Sequence, residues 1–424
     1  MSAPDRQKAI AALLARPALQ KLFRALAGEE IRVVGGAVRN ALLGEDIADI
    51  DIAAAALPQA IAEKAEKAGL RVVPTGIEHG TLTLVFDGAH FEVTSLREDV
   101  ETDGRRAKVR FGRDFATDAL RRDFTINALS VDAQGELYDY AGGLDDLAAR
   151  RVRFIGVAET RISEDFLRIL RFFRFSAAYG SGPLDAEGFK ACVALRSGLR
   201  TLSRERIGAE TLKILAAKRA DFVIEAMARA GLLEYFGIAP WPARMTRLKA
   251  ILDARGARDP LLMLAALVLY SEADAERLAD VLRLSNAQKR RLLSLAKTLP
   301  AWRGANDAPE PSLLREALFL HGLQPACDAL ALIQAESPAD PQDEGFAHAE
   351  AFLRDTPAPR PPFAASDLIA RGVAQGSGLG GALKRLQALW IRAGFPQDPQ
   401  TVARLIDEAG TAPQHESLWT RPRH

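Results

Sequence analysis

The stretches VVGGAVRN (33–40) and DIADIDIA (46–53), separated by one short spacer, decide how the rest of the chain is read. The first predicts a strand entering a glycine turn and then a helix. A helix N-terminus behind two glycines is a generic cradle for anions, because the backbone can approach closely and free N–H groups point outward. Arg39 would add a charge-assisted contact. The stretch matches neither the dinucleotide fingerprint nor the P-loop. In an extended DIDIA segment the side chains alternate, so Asp49 and Asp51 face one way and Ile50 and Ile52 the other. Two neighbouring carboxylates repel and are costly to desolvate, so a cation belongs between them. Beside an anion cradle the fitting ion is Mg2+, which takes one or two carboxylates plus phosphate oxygens.

The chain has 424 residues, enough for roughly two to four domains. Its 48% hydrophobic and 26% charged content is that of an ordinary soluble protein. The net charge is +1, so any nucleic-acid contact must come from local clusters of Arg and Lys. Cys192 and Cys327 are the only cysteines. They exclude a disulfide framework and a cysteine zinc site, and a reducing cytoplasm is the expected compartment. The opening MSAPDRQKAIAALLARPALQKLFRAL (1–26) has scattered charges and reads as a soluble amphipathic helix. The most apolar run, DPLLMLAALVLY (259–270), falls short of the ~18 residues of a membrane span and predicts a buried helix.

Residues 5–27 read as helical, and Ile31 to about Ile155 as mixed α/β. Strands are expected at IRVV, DIDIA, LRVVPTG, GTLTLVF and HFEVTSL, with helices over AVRNALLG, ending at Gly44, and PQAIAEKAEKAG, ending at Gly69. Residues 97–118 are charged, lack apolar periodicity and read as a mobile loop. After Glu159 the pattern is helical, with breaks at 179–183, 237–242, 302–311 and 336–345 and a Pro-rich linker, DTPAPRPPF (355–363).

EDFLRILRFFRF (164–175) reads as one amphipathic helix. At about 100° per residue, Glu164, Arg168, Arg171 and Phe175 share a face. Asp165, Phe172 and Arg174 flank it, and Phe166, Ile169, Leu170 and Phe173 lie opposite. Asp165 can accept from an amino group and Arg168 can donate to a ring nitrogen or carbonyl, so together they can imitate the pairing edge of a base. An amphipathic helix with an i,i+4 Glu–Arg pair is the plainer reading of the same residues.

Taken in order, these stretches resemble the class II tRNA nucleotidyltransferase and bacterial poly(A) polymerase family. RRDFTINAL (121–129) resembles that family's sugar- and phosphate-binding motif, and YDYAGGLDDL (138–147) its Gly-Gly hinge between head and neck. EDFLRILRFFRF resembles its base-selecting motif, and SRERIGAETLKIL (203–215) the neck motif that follows. The resemblance implies an α+β chain: a nucleotidyltransferase head with a small mixed β-sheet, then an all-helical neck, body and tail. The implied boundaries are an N-terminal helix at 1–30, the head at 31–150, a base-recognising and RNA-binding neck at 151–236, and a tRNA-binding body and tail at 237–424.

The implied activity is addition of C, C and A to the tRNA 3′ end, without a template, from CTP and ATP with Mg2+. A poly(A) polymerase and a partial, A-adding tRNA enzyme are the alternatives. VVPTGIEHGTLTL (72–84) stands where poly(A) polymerases tend to carry a basic stretch and looks like the tRNA enzymes. The resemblance gives Asp49 and Asp51 the metal and the catalysis. It gives Gly35, Gly36 and Arg39 the phosphates, and Arg122, Asp123 and Asn127 the sugar and triphosphate. Asp165 and Arg168 inherit base templating, and Arg171 and Arg174 nucleotide or phosphate binding. Glu92 is a candidate third carboxylate, and His79 a loop-positioning residue. The 97–114 loop, with Arg105 and Arg106 as its basic core, would remodel the site for A addition. Arg196, Arg200, Arg204, Arg206, Lys213, Lys218 and Arg219 would form a phosphate track for the acceptor stem. One departure stands out: the first motif usually ends in Asp, and here position 40 is Asn, which raises the question of how Arg39 is held.

Overall fold

Pairing of Val34 with Asp51, and of Asp51 with Glu92, fixes the centre of the sheet. A computed structural model describes residues 2–76, 80–103, 106–236 and 240–411; His79, Arg105 and residues 237–239 of the 237–242 break lie outside the described residues. The chain divides into two units, Met1–Gly237 and Ile238–His424.

In the first unit the strands are β1 (Ile31–Val34), β2 (Asp51–Ala54), β3 (Arg71–Gly76), β4 (Thr81–Phe86), β5 (Ala89–Ser95), β6 (Arg97–Asp103), β7 (Arg106–Phe111), β8 (Ser130–Asp132) and β9 (Leu137–Tyr138). Seven of them form one sheet in the order β3-β4-β5-β2-β1-β8-β9. β2 and β5 run parallel and the other neighbours antiparallel, which is the expected small mixed sheet. Alternation is plainest in β4, TLTLVF, where Leu82, Leu84 and Phe86 are buried and the residues between them are half-buried.

The helices of this unit are α1 (Ala3–Leu14), α2 (Pro17–Ala25), α3 (Gly36–Leu43), α4 (Pro58–Lys67), α5 (Phe115–Leu120), α6 (Gly143–Ala148), α7 (Ala158–Glu164), α8 (Leu167–Tyr179), α9 (Ala186–Ala194), α10 (Arg204–Leu215) and α11 (Ala220–Arg229). The helical 5–27 segment is two helices because Pro17 has no N–H to continue the first and suits position N1 of the second. Residues 97–118, expected as a loop, instead form the hairpin β6–β7 and then α5. Ladder hydrogen bonds build the hairpin without apolar periodicity, and Asp114 starts α5 by accepting from the N–H groups of Ala116 and Thr117. EDFLRILRFFRF is not one helix either. α7 ends at Glu164, Asp165 is extended (φ −155°, ψ 107°), and α8 starts two residues later.

Ile169, Leu170, Phe172, Phe173 and Phe175 of α8 are buried. Phe172 and Phe175, expected beside or on the polar face, pack instead against Phe124 with ring centroids 6.4 and 5.2 Å away. Phe124 also meets Phe154 at 4.8 Å. Burial of each ring stabilises the fold by about 2–3 kcal/mol, and this aromatic cluster fixes α8 against the RRDFTIN segment.

The second unit is helical throughout its described residues, from Pro242–Ala254 to Pro399–Thr411. The run at 259–270 contains the expected buried helix, Pro260–Val268, in which Leu261 to Val268 are all buried. Arg244, 2% exposed, caps that helix: its guanidinium donates to the carbonyls of Ala265, Ala266 and Leu269 and pairs with Glu336. No helix among the described residues is long and apolar enough to cross a membrane.

Candidate active site

Gly35 has φ 68°, a backbone conformation that L side chains rarely adopt, and a Cβ built there would lie 2.9 Å from Arg122 Nη1. The glycine thus both turns β1 into α3 and lets Arg122 come down onto the turn. The turn forms one wall of a cleft of about 880 Å3. Asp49 and Asp51 stand beside it, Arg122, Asp123 and Asn127 come from the second motif, and Asp165, Arg168, Arg171, Arg174 and Phe175 come from the α7–α8 junction and α8. The residues expected to hold the metal and the nucleotide line this one cleft, although four separate stretches supply them; Glu92 is not among its lining residues.

Asp49 precedes β2 and Asp51 begins it. Ile50 and Ile52 point into the core at 8% and 1% exposure. Asp51 opens onto the cleft, yet the surrounding walls displace enough water to push its carboxyl above the usual range. The negative charge of Glu92, its partner in register, and that of Asp49 push the same way, while Arg122 opposes them. His90 Nε2 lies 3.8 Å from Asp49 Oδ1. Among the described residues, no three His, Cys, Asp or Glu side chains gather into a metal-holding group. Glu92, in register with Asp51, adds a neighbouring negative charge. Two hard carboxylates side by side in a cleft lined with cations fit Mg2+, which completes its shell with water and phosphate oxygens.

Arg39 is buried on α3. It donates through Nη1 to Asn127 Oδ1 and through Nη2 to the Tyr179 hydroxyl at 2.8 Å, and its guanidinium lies 4.0 Å from the Tyr179 ring centroid. Burial, its largest influence, pulls its pKa down from the usual value. Asn127 Nδ2 donates in turn to Asp123 Oδ1 at 3.0 Å, and Asp123 Oδ2 accepts from Arg171 Nε at 2.6 Å. This chain of hydrogen bonds runs from the glycine turn to α8. Asn40 answers the question of position 40: its Oδ1 accepts from Arg39 Nε and Nη2 at 3.1 and 2.9 Å.

Asp165, between two helices, accepts from the Leu167 N–H at 3.0 Å and from Arg206 Nη2 at 2.7 Å. Arg168 Nη1 donates to the Arg161 carbonyl at 2.9 Å and pairs with Glu164. The break in the helix lets Asp165 project from a turn, free of the helix's angular spacing. Arg174 pairs with buried Glu210 at 2.9 Å, and burial lowers its pKa.

Sequence reading missed three supporting residues. Asp118, 5% exposed, pairs with both Arg121 and Arg122. Burial would raise its carboxyl, but the two guanidinium groups outweigh that and hold it below the usual range. Its i,i+3 and i,i+4 spacing to those arginines was the available signal. Tyr179 and Glu210 had none, because only tertiary packing brings them in. Arg206 was assigned to the RNA track but reaches the cleft at Asp165. Of the other track residues, Lys213 lines the cleft, Lys218 pairs with Glu45 at 2.9 Å, Arg200 lies over the Tyr235 ring, and Arg196 and Arg219 donate to the carbonyls of Val193 and Gly182.

Residues 31–153 match the family described as the Poly A polymerase head domain, and residues 183–240 that described as the probable RNA and SrmB-binding site of polymerase A. The mitochondrial CCA tRNA nucleotidyltransferase 1 of Danio rerio is 34% identical over 386 residues, covering 90% of this chain and 88% of the relative. The CCA-adding enzyme of Oceanobacillus iheyensis is 42% identical over 200 residues, covering 47% of this chain and 49% of that enzyme. The crystal structure of the Bacillus stearothermophilus CCA-adding enzyme in complex with CTP is 26% identical and superposes with a TM-score of 0.71, covering 96% of this chain and 98% of the other. With an α+β head and relatedness along nearly its whole length, this chain belongs to the CCA tRNA nucleotidyltransferase family.

Proposed function

We propose that this protein adds C, C and A to the 3′ end of tRNA, taking CTP and ATP and reading no template. The observation that carries the proposal is the single cleft. It joins a glycine turn and a carboxylate pair, suited to a metal-bound triphosphate, to a base-sized face made by Asp165, Arg168 and Arg206. In the reaction the RNA 3′-hydroxyl gives up its proton to solvent as its oxygen forms a bond to the α-phosphorus, the bond from that phosphorus to the α–β bridging oxygen breaks, and pyrophosphate leaves. Asp49 and Asp51 would hold Mg2+, which when bound supplies Lewis-acid stabilisation of the reacting oxygens.

The rest is positioning and electrostatics. The N–H groups at the start of α3 and the guanidinium groups of Arg39 and Arg122 face the triphosphate. Arg171 and Arg174 line the adjoining wall, with Phe175 packed between their guanidinium groups at 5.3 and 4.4 Å. Asp165 accepts from, and Arg168 donates to, the edge of the incoming base, and both exchange their present partners for it. Arg206 and Lys213 continue the positive wall toward the RNA. Both cysteines are free, as a reducing compartment such as the cytoplasm keeps them.

The test is extension of tRNA transcripts ending before CCA, after C and after CC, each with CTP, ATP or both, with products sized to the nucleotide. Addition that stops at CCA is expected. Long A tails would replace this reading with a poly(A) polymerase, extension of only the CC-ending transcript with an A-adding enzyme, and no extension on any substrate would refute it.

A further inference from the structure

The carboxamide of Asn40 touches two parts of the cleft at once. Its Oδ1 takes Arg39 Nε and Nη2 at 3.1 and 2.9 Å, and its Nδ2 donates to the Asp46 carbonyl at 2.7 Å. The orientation is forced, because a guanidinium only donates and a carbonyl only accepts. Asp46 lies in an irregular segment, 45–50, whose residues 46–49 line the cleft and carry the chain into β2. The backbone makes the same connection where α3 ends: Gly44 turns left-handed and the Glu45 N–H donates to the Asn40 carbonyl at 2.9 Å. Arg16 Nη1 also reaches this segment, donating to the Ile47 carbonyl at 3.4 Å.

We propose that Asn40 is a positioning residue for nucleotidyl transfer, coupling Arg39 over the phosphate turn to the segment that bears the first metal-site carboxylate. The proposal rests on the functional reading above. The coupling needs an amide. An aspartate would keep the acceptor half and pair more strongly with Arg39, but it would turn a second oxygen toward the Asp46 carbonyl, where no hydrogen bond can form. Alanine removes both halves. The two variants therefore separate the two ends of the link.

Wild type, Asn40→Asp and Asn40→Ala are compared in CTP addition to a tRNA lacking CCA, with Mg2+ varied. Mn2+ binding to each protein is titrated by EPR in the absence of turnover, and melting curves check folding. For N40D the KM for CTP is expected to stay within about twofold. Its kcat falls, and its half-saturating Mg2+ and Mn2+ dissociation constant rise, each by about three- to tenfold, the worth of one hydrogen bond to a neutral acceptor. N40A adds a rise in the KM for CTP of similar size. A merely structural role would lower the melting temperature of both variants and leave the split between KM and Mg2+ requirement absent. N40D matching wild type in kcat, Mg2+ requirement and Mn2+ affinity overturns the coupling. A wild type that extends no tRNA overturns the functional reading instead, and the Mn2+ titration of N40D still decides the coupling.

Discussion

Asp123 ties the glycine turn to the base-facing helix, and removing it should cost more than its position in a cleft suggests. The residue is 7% exposed. Its Oδ1 accepts from the Phe124 N–H at 2.9 Å and from Asn127 Nδ2 at 3.0 Å, and its Oδ2 pairs with Arg171 at 2.6 Å. Asp123→Ala leaves two buried donors without a partner, at about 1–3 kcal/mol each. The ion pair adds about 1 kcal/mol, a screened value because the Arg171 side chain is 31% exposed. The total is about 3–7 kcal/mol. For a unit of this size 1 kcal/mol shifts Tm by about 2–4 °C, so the Met1–Gly237 unit should melt at least about 6 °C lower. Asp123→Asn keeps an acceptor for both neutral donors and loses only the pairing with Arg171, so it should lose about 2–4 °C. Differential scanning calorimetry reads both, and the CTP KM of D123N should rise as Arg171 loses its anchor. A D123A protein melting within about 2 °C of wild type, or D123N melting below D123A, would sink the argument.

Two further outcomes follow from the same geometry. The Asp51 carboxyl is held above the ordinary range by burial and by Glu92, so the native state binds its proton more tightly than the unfolded chain does, and stability falls as pH rises through that window. Asp51→Asn should therefore melt higher than wild type at pH 8, with a gain that shrinks toward pH 5. Nucleotide addition should fall by at least about a hundredfold, and a lower melting temperature at pH 8 would contradict this. At Gly198, an added Cβ would lie 2.0 Å from the Phe166 ring, next to Asp165. Gly198→Ala should cost about 1–3 kcal/mol by overpacking and loosen the choice of CTP and ATP over GTP and UTP. A G198A enzyme with unchanged nucleotide selectivity in competition assays would separate Phe166 from base reading.

The head was legible because its signals are local. Two glycines before a helix, and alternation in DIDIA and TLTLVF, are set by neighbours in sequence, and the structure follows them. Asp165 shows where local reasoning fails. A helical wheel assumes an unbroken helix, and nothing apolar or Gly-Pro-like marks the break after Glu164. The extended Asp165 is fixed from outside, by Arg206 on α10 and by its own acceptance from the Leu167 N–H. The buried state of Phe175 has the same origin: a polar-face position on the wheel becomes a core position once Phe124 packs against it. The hairpin at 97–111 escaped because its ladder needs no apolar pattern.

The charge of the cleft is organised differently from what a count of arginines suggests. Arg121 and Arg122 lean on Asp118, Arg168 on Glu164, Arg171 on Asp123, Arg174 on Glu210 and Arg206 on Asp165. Each of these guanidinium groups is already partly neutralised, so it contributes aim more than unbalanced field. Arg39 differs. Its hydrogen-bond partners among the described residues, Asn40, Asn127 and Tyr179, are all neutral, and Asp123 acts on it only from beyond Asn127. A buried cation without a counter-ion is costly, and the lowered pKa of Arg39 is that cost expressed as proton affinity. An anion arriving at the glycine turn would relieve it. The strain is thus present before the nucleotide binds and falls when it does, which makes Arg39 the cation whose interaction with a triphosphate is least offset by a pairing it must give up.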